Sequence, residues 1–160
     1  LVASSCSKNF GLYRERTGSI TLVAESAEQA KIVSAQSMSI ARQIYSMPPA
    51  HGALLVSLIL GDDQLRANWQ DELEEVRLRI KSMRTLLTDG INDNAAGMDF
   101  SHIKEQQGMF SFLGITSDQL NRLRDEFAIY IVGSTRVNLA GINSNNIEYL
   151  TQSIRTVLDS

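Results

Sequence analysis

Cysteine and proline are scarce in this 160-residue chain, and each shortage limits the structures that the chain can form. Cys6 is the single cysteine, so no disulfide can form within the chain, and a reducing, cytoplasmic location is the default expectation. The two prolines, Pro48 and Pro49, are adjacent, so they break a helix at only one place. No apolar run approaches the ~20 residues of a membrane span, and we expect no membrane partner.

An excess of basic residues is also missing. The net charge is −3 and 43% of the residues are hydrophobic, as in an ordinary globular protein, so we expect no nucleic-acid partner. Leu1–Cys6 superficially resembles the end of a lipoprotein signal but lacks its basic and long apolar regions. The chain starts without Met inside an apolar run, as we would expect of a fragment or a processed piece.

Apolar periodicity in the first half predicts short strands and then helices. Pro48-Pro49 ends the first of these helices by Met47. The predicted order is a strand at Leu1–Ala3, a loop over 4–19, a buried strand at Ile20–Ala24, a helix opened by the capping box Ser26–Gln29, and a helix over about 51–60.

A single apolar stripe marks the longest predicted helix, which begins near Asp62 and Asp63 and is ended by Gly90 and the stretch Asn92–Gly97. Glu75 and Arg79 are predicted to form an i,i+4 pair on another face. Core packing is the expected role of the stripe, although the helix could also connect two domains. Its members are Leu65, Trp69, Leu73, Val76, Ile80, Met83 and Leu87.

The second half alternates between strands and helices, so the whole chain is predicted to be α/β. Val137 and Leu139 should share one face of a strand, with Arg136 and Asn138 on the other. The remaining predicted elements are a strand at Met109–Leu113, a helix opened by the capping box Thr116–Gln119, a strand at Ala128–Val132 and a final helix over about 144–158.

Lys8 is the first candidate for a reactive residue. An amine attacks a carbonyl only as the free base, which desolvation or neighbouring positive charge favours. Arg14 and Arg16 are close in sequence, and the hydroxyls of Ser5 and Ser7 could bind a phosphate together with the planar fork of Arg16. A Ser-x-x-Lys pattern alone is weak evidence for a reactive lysine, because it also occurs in active sites in which serine is the nucleophile. A solvated surface lysine is the plain alternative.

Several motifs in order resemble the class I aminotransferases, above all the bacterial aspartate and aromatic amino acid aminotransferases. The resemblance covers essentially the whole chain. Its motifs are Ser5-Cys6-Ser7-Lys8-Asn9-Phe10-Gly11-Leu12-Tyr13 continued by Glu15, Arg16 and Gly18, then Tyr45–Gly52, Gly108–Phe112, Arg124–Tyr130 and Arg136–Gly141.

The resemblance implies the C-terminal part of a type I pyridoxal-phosphate enzyme. Residues 1–75 would finish the large cofactor-binding domain and its sheet, the long helix would link the domains, and residues 76–160 would form an α+β small domain. The reaction would be transamination between a dicarboxylic or aromatic amino acid and a 2-oxo acid. The active species would be a homodimer that includes the upstream half of the enzyme, and the fragment alone should be inactive.

The resemblance also implies roles for individual residues. Lys8 would bond covalently to pyridoxal 5'-phosphate and transfer the substrate proton, while Ser5, Ser7 and Arg16 would bind the cofactor phosphate. The substrate-binding residues would be Arg136 at the α-carboxylate, Arg42 at the distal carboxylate in the neighbouring subunit's site, and Phe110 in the pocket lining. No metal is implied, because His51 and His102 lack metal-ligand spacing.

Departures from the family pattern leave alternatives open. Cys6 replaces an aromatic residue, and Ile44 and Met47 replace more polar residues near Arg42, which favours aromatic or broad substrates over aspartate alone. Another pyridoxal-phosphate reaction, such as decarboxylation or a lyase reaction, stays possible. So does a non-catalytic interaction module that binds through the stripe from Leu65 to Leu87.

Overall fold

Ten helices and strands make up the described part of the chain, residues 1–94 and 96–159 of a computed structural model. A one-turn 3-10 helix at Leu139–Gly141 follows β4. The elements are β1 (Val2–Ser5), β2 (Gly18–Thr21), α1 (Ala27–Tyr45), α2 (His51–Gly61), α3 (Asp63–Asn92), α4 (His102–Glu105), β3 (Phe110–Phe112), α5 (Ser117–Phe127), β4 (Arg136–Asn138) and α6 (Ile147–Leu158).

The chain divides into two compact units. The first is Leu1–Leu73 and the second begins at Glu74, inside α3. The assignment of residues 1–75 to a large domain and of residues 76–160 to a small domain stays a prediction.

The first unit opens with an antiparallel pair, β1 and β2, in which Ser5 is opposite Gly18. The predicted buried strand at Ile20–Ala24 is wrong in its bounds and its burial. The strand is Gly18–Thr21, all of its residues are exposed, and Ile20 keeps 59% of its surface accessible. A two-stranded sheet leaves both faces open unless another layer covers one of them, so β-branched sequence did not ensure burial.

The helices of the first unit begin and end where their sequence signals predict. The Ser26 hydroxyl accepts from the Gln29 N–H at 3.2 Å, and α1 ends at Tyr45, ahead of the two prolines. α2 runs to Gly61, as predicted. Within this unit, Gly52 is the only described residue that is buried.

α3 begins as predicted and ends at Asn92, within the predicted terminating stretch, but it runs through Gly90 without a break. The Asp62 carboxylate accepts from the N–H groups of Gln64 and Leu65, both at 2.9 Å, and so caps the helix. Gly90 stays helical because it lies against α6: a Cβ there would be 2.6 Å from Cγ2 of Thr151. The glycine therefore permits close helix packing, and the helix continues to Asn92.

The apolar stripe of α3 is core only near its C-terminal end. Leu87 is fully buried and Met83 is half-buried, whereas Leu65 and Val76 are exposed. The expectation of core packing along the whole stripe is therefore wrong for its first half. Spacing identifies which side chains share a face, but burial depends on what packs against that face.

The core of the second unit lies where α3, the β3–β4 pair and α6 meet. β3 and β4 are antiparallel, with Ser111 opposite Val137, and α5 packs against α6. The predicted alternation is confirmed, since Val137 and Leu139 are buried while Arg136 and Asn138 are exposed. The buried apolar residues are Leu87, Ile91, Phe100, Ile103, Leu113, Ile115, Leu123, Val137, Leu139, Ile142, Ile154, Val157 and Leu158.

The predicted strand at Ala128–Val132 is absent from the described residues. Ala128 adopts φ 53° and ends α5, with its N–H donating to the carbonyls of Arg124 and Leu123. Ile129 then donates to the same Leu123 carbonyl at 2.9 Å. Ile129 and Ile131 pack on the core while Tyr130 and Val132 are exposed, so the segment alternates as a strand does but has no ladder partner.

Candidate functional site

The segment Val2–Thr21, here named the lysine hairpin, holds all four predicted cofactor residues. The hydroxyls of Ser5 and Ser7 are 3.0 Å apart, and the Ser5 oxygen also accepts from the Ser7 N–H at 3.2 Å. The Cys6 N–H donates to the Thr17 carbonyl at 2.9 Å. The β1–β2 pairing therefore returns the chain beside the two serines directly after Arg16.

Gly18 makes this return possible. It pairs with Ser5, and a Cβ at this position would lie 2.3 Å from the Ser4 carbonyl oxygen. No side chain fits such a gap without moving the backbone. Sequence reasoning placed Gly18 at the end of the lysine motif but gave it no role, because its contribution is the approach of two strands.

Lys8 lies at the exposed turn of the hairpin. The Cys6 carbonyl accepts from the N–H groups of Phe10 and Leu12, both at 3.3 Å, which closes the turn around the lysine. The Lys8 ammonium nitrogen is 4.0 Å from the centroid of the Tyr13 ring, within the range of a cation–π contact. Tyr13 is thus a neighbour of the predicted reactive amine.

Trp69 anchors the residues that follow Lys8, and the sequence did not reveal this. Its ring stacks on Phe10 with centroids 4.5 Å apart, and its indole N–H donates to the Asn9 carbonyl at 2.8 Å. The sequence assigned Trp69 only to the apolar stripe. Its single occurrence in the chain was the one available signal.

Arg16 has an unusual backbone conformation for a residue other than glycine, with φ 53°. Its side chain is exposed, and Nη1 donates to the Tyr13 carbonyl at 3.1 Å. The remaining guanidinium N–H groups are donors suited to an anion such as a phosphate. Backbone strain of this kind concentrates at ligand-binding positions.

Arg42 lies in the last turn of α1, away from the hairpin in sequence, with an exposed side chain. Its carbonyl accepts from the Ser46 N–H at 2.9 Å. Over residues 1–94 and 96–159, no ion pair is formed by its guanidinium. Ile44 and Met47 beside it are also exposed, at 72% and 80%.

The second unit brings together Phe110 and Arg136, the two substrate-binding residues predicted there. β3 and β4 place Phe112 opposite Arg136 and Phe110 opposite Asn138. The Arg136 guanidinium carbon is 4.6 Å from the centroid of the Phe110 ring. A guanidinium stacked on an aromatic face keeps its N–H edge available to a carboxylate.

Two arginines of α3 hold the segments around this pair, and sequence reasoning missed their contacts. Arg79 donates to the carbonyls of Ala140 at 3.3 Å and Ile142 at 2.7 Å, directly after β4. No ion pair with Glu75 occurs among the described residues, so that predicted pair is wrong.

Arg84 is buried with 3% of its surface accessible. Its Nη1 donates to the Ile103 carbonyl at 2.9 Å and to the Ser111 hydroxyl, and its Nη2 donates to the carbonyls of Gly108 at 2.7 Å and Phe110 at 3.0 Å. Burial lowers the pKa of this guanidinium from its ordinary value.

Comparison with known proteins gives the family. The family model described as "Aminotransferase class I and II" matches residues 1–154. The chain belongs to this family. The aspartate aminotransferase of Haemophilus influenzae is 54% identical over 158 residues, which are 99% of this aminotransferase chain and 40% of the relative. The chain thus spans about two fifths of the length of the curated relatives that it matches.

Solved structures agree with the assignment of the fold to the aminotransferases. The aromatic-amino-acid aminotransferase of Burkholderia pseudomallei, covalently bound to pyridoxal phosphate, matches with a TM-score of 0.88 and 41% identity over 98% of this chain and 39% of that one. The psychrophilic aromatic amino acids aminotransferase of Psychrobacter sp. B6, cocrystallised with aspartic acid, matches with a TM-score of 0.91 and 40% identity, covering 99% and 40%. The predicted fold class is confirmed.

Neither a metal cluster nor a membrane-spanning helix occurs in the described part of this aminotransferase chain. No group of three or more His, Cys, Asp or Glu side chains there could hold a metal ion, and no helix there is both long and apolar enough to cross a bilayer. His51 contacts the Glu15 carboxylate at 3.0 Å, and His102 contacts the Phe112 carbonyl at 3.0 Å. Both histidines thus have local structural partners.

Proposed function

We propose that this chain is part of a pyridoxal-phosphate-dependent aminotransferase that exchanges an amino group between an amino acid and a 2-oxo acid. The observation that supports this best is the lysine hairpin, which carries a lysine, two serine hydroxyls and an arginine on one hairpin of a chain from the aminotransferase family. An aldehyde and a phosphate are the two groups that this donor set suits.

The residues of the hairpin fit pyridoxal phosphate. Ser5, Ser7 and Arg16 offer hydroxyl and guanidinium donors for the phosphate, and Lys8 offers the amine for the aldehyde. When bound, the cofactor supplies the electron sink for the reaction. Lys8 would then hold and return the proton that leaves the substrate Cα, the role of a positioned general base and acid.

The substrate would be held by guanidinium groups. Arg136, stacked on Phe110, would bind the α-carboxylate through two parallel hydrogen bonds. Arg42 would meet the distal carboxylate of aspartate or glutamate, and its exposed side chain is free of intrachain ion pairs within the described residues. Exposed Ile44 and Met47 next to it suit an aromatic side chain, so we propose that the enzyme accepts both classes of substrate.

A homodimer that includes the upstream part of the protein would complete the site. α2 carries Leu54 and Leu58 with more than half of their surface exposed, and together with His51 they line a shallow, open depression on this helix. An apolar surface of this kind needs a cover. We propose that upstream residues and a second subunit supply it, that Arg42 serves the neighbouring subunit's site, and that the isolated chain does not transaminate.

Lys8 provides the decisive test. In a hybrid enzyme, this chain replaces the matching residues of the Haemophilus influenzae aspartate aminotransferase. We expect the hybrid to convert aspartate and 2-oxoglutarate, and borohydride to fix the cofactor on Lys8, as read by peptide mass spectrometry. Lys8→Ala should lower kcat by about 100- to 10,000-fold from the loss of proton transfer alone.

Lys31→Ala is the matched control, because Lys31 is an exposed lysine on α1. It should leave both turnover and labelling unchanged. Labelling of a different lysine, or equal turnover by Lys8→Ala, would overturn the proposal. Release of CO₂ or ammonia in place of a new amino acid would favour a decarboxylase or lyase. Turnover of phenylalanine compared with aspartate measures the substrate preference.

A further inference from the structure

The guanidinium of Arg84 is bound entirely by uncharged acceptors. Its partners are three backbone carbonyls and one serine hydroxyl, all within residues 103–111. Burying a cation without a counter-ion is costly, and burial does lower the pKa of this group. A buried arginine in this setting acts through its rigid fork of donors, which lysine cannot reproduce.

The acceptors follow one another along the segment that leads into β3. Gly108 and Phe110 provide carbonyls on one side of the guanidinium, and the Ser111 hydroxyl binds the other side. The Phe110 carbonyl is thereby tied to α3, while the Phe110 ring lies against the Arg136 guanidinium. A shift of β3 relative to α3 would move this ring.

We propose that Arg84 is a positioning residue for substrate binding: it holds β3 in the place and register that set the Phe110 ring against Arg136. This inference rests on the proposed function, in which Arg136 binds the substrate carboxylate. Arg84 touches neither substrate nor cofactor in this proposal. It acts through the backbone of the residue that supports Arg136.

Hydrogen exchange of the 160-residue chain tests the structural part of the proposal. In Arg84→Met and in the milder Arg84→Lys, we expect the amides of Phe110–Phe112 to exchange faster by at least about tenfold, the effect of losing hydrogen bonds to a charged group. The amides of Ile154 and Val157 in α6 report on global unfolding, and they should change by less than about twofold.

Arg77→Lys is the matched control, since Arg77 lies on the same helix and pairs with Glu74 at the surface. It should leave both regions unchanged. Equal acceleration in β3 and α6 would make Arg84 a general stabilising residue and overturn the proposal, as would no acceleration in either. If Arg84→Met fails to fold, Arg84→Lys decides.

The hybrid enzyme tests the functional part. Arg84→Lys should raise KM for aspartate by about tenfold while kcat changes by less than about twofold, the pattern of lost ground-state and transition-state binding alike. An unchanged KM would overturn the positioning role. If the unsubstituted hybrid has no activity, the proposed function fails, and hydrogen exchange still decides whether Arg84 positions β3.

Discussion

Single contacts hold the lysine hairpin in shape. Trp69 stacks on Phe10 and donates to the Asn9 carbonyl, so the residues directly after Lys8 are attached to α3. Tyr13 lies under the lysine ammonium. These contacts restrict the turn that carries the amine, which reduces the ordering that ligand binding would otherwise require.

Substitution of Trp69 separates its two contacts. Trp69→Phe retains an aromatic stack but loses the N–H donor, and Trp69→Leu loses both. Hydrogen exchange of the Phe10 and Leu12 amides should accelerate by about fivefold in the first variant, which corresponds to about 1 kcal/mol, and further in the second. Tyr45→Phe, at an exposed aromatic residue on α1, is the control and should change nothing. Equal rates in all variants would contradict the prediction.

The residue types in the hairpin were predictable from sequence, but the contacts were not. A short motif contains Lys8, Ser5, Ser7 and Arg16, and their residue types alone indicate an amine and phosphate donors. The hydrogen bond from Trp69 to Asn9 joins residues 60 positions apart, so it depends on where α3 lies. The roles proposed for all of these side chains stay predictions.

At the scale of elements, one glycine controls how closely two helices pack. Gly90 faces Thr151 of α6, whose side chain is buried. Glycine lowers helix propensity by about 1 kcal/mol relative to alanine, so the close contact must outweigh that preference.

Gly90→Ala should therefore destabilise the second unit although alanine is the better helix former. The new methyl group would lie 2.6 Å from Thr151 Cγ2, and overpacking of this kind costs about 1–3 kcal/mol. The urea midpoint of the α6 region, followed by hydrogen exchange, should fall. Gly133→Ala is the control, because a Cβ there meets no atom within 4 Å. A higher midpoint for Gly90→Ala would show that helix propensity dominates.

Local sequence signals predicted where helices begin better than they predicted what each element packs against. The capping residues Ser26, Asp62 and Thr116 start their helices as expected, because a cap acts through its own neighbours. Ala128–Val132 was predicted as a strand because it is apolar, but a strand needs a partner, and the segment belongs to neither sheet of the described residues. The short α4 carried no periodic signal long enough to detect.

On the scale of the whole molecule, burial is distributed unevenly. The described core lies entirely in the second unit, whereas α1 of the first unit has no buried residue. The sequence predicted burial for Ile20 and the first half of the stripe, because apolar patterns indicate which surfaces need cover. Apolar patterns do not show whether the residues that bury those surfaces belong to the same 160-residue chain.

Because the core lies in one unit, we expect the backbone amides of the two units to differ in their protection from hydrogen exchange. In the isolated chain, amides of α3 around Leu87 and Ile91 and of α6 around Ile154 should exchange slowly, while those of α1 should exchange at least about 100-fold faster, because local opening there exposes little apolar surface. Hydrogen exchange followed by mass spectrometry measures both in one sample. Equal protection of α1 and α6 would contradict this prediction.

Gly18 has an evolutionary consequence. Its neighbour across the sheet leaves no room for a Cβ, so any amino-acid substitution at this position would push the strand that ends at Ser5 away from the strand that follows Arg16. The arrangement of the proposed phosphate donors would then be lost, although the sequence still contains each of these residues. A residue without a side chain therefore restricts variation in this hairpin, as its proposed reactive groups do.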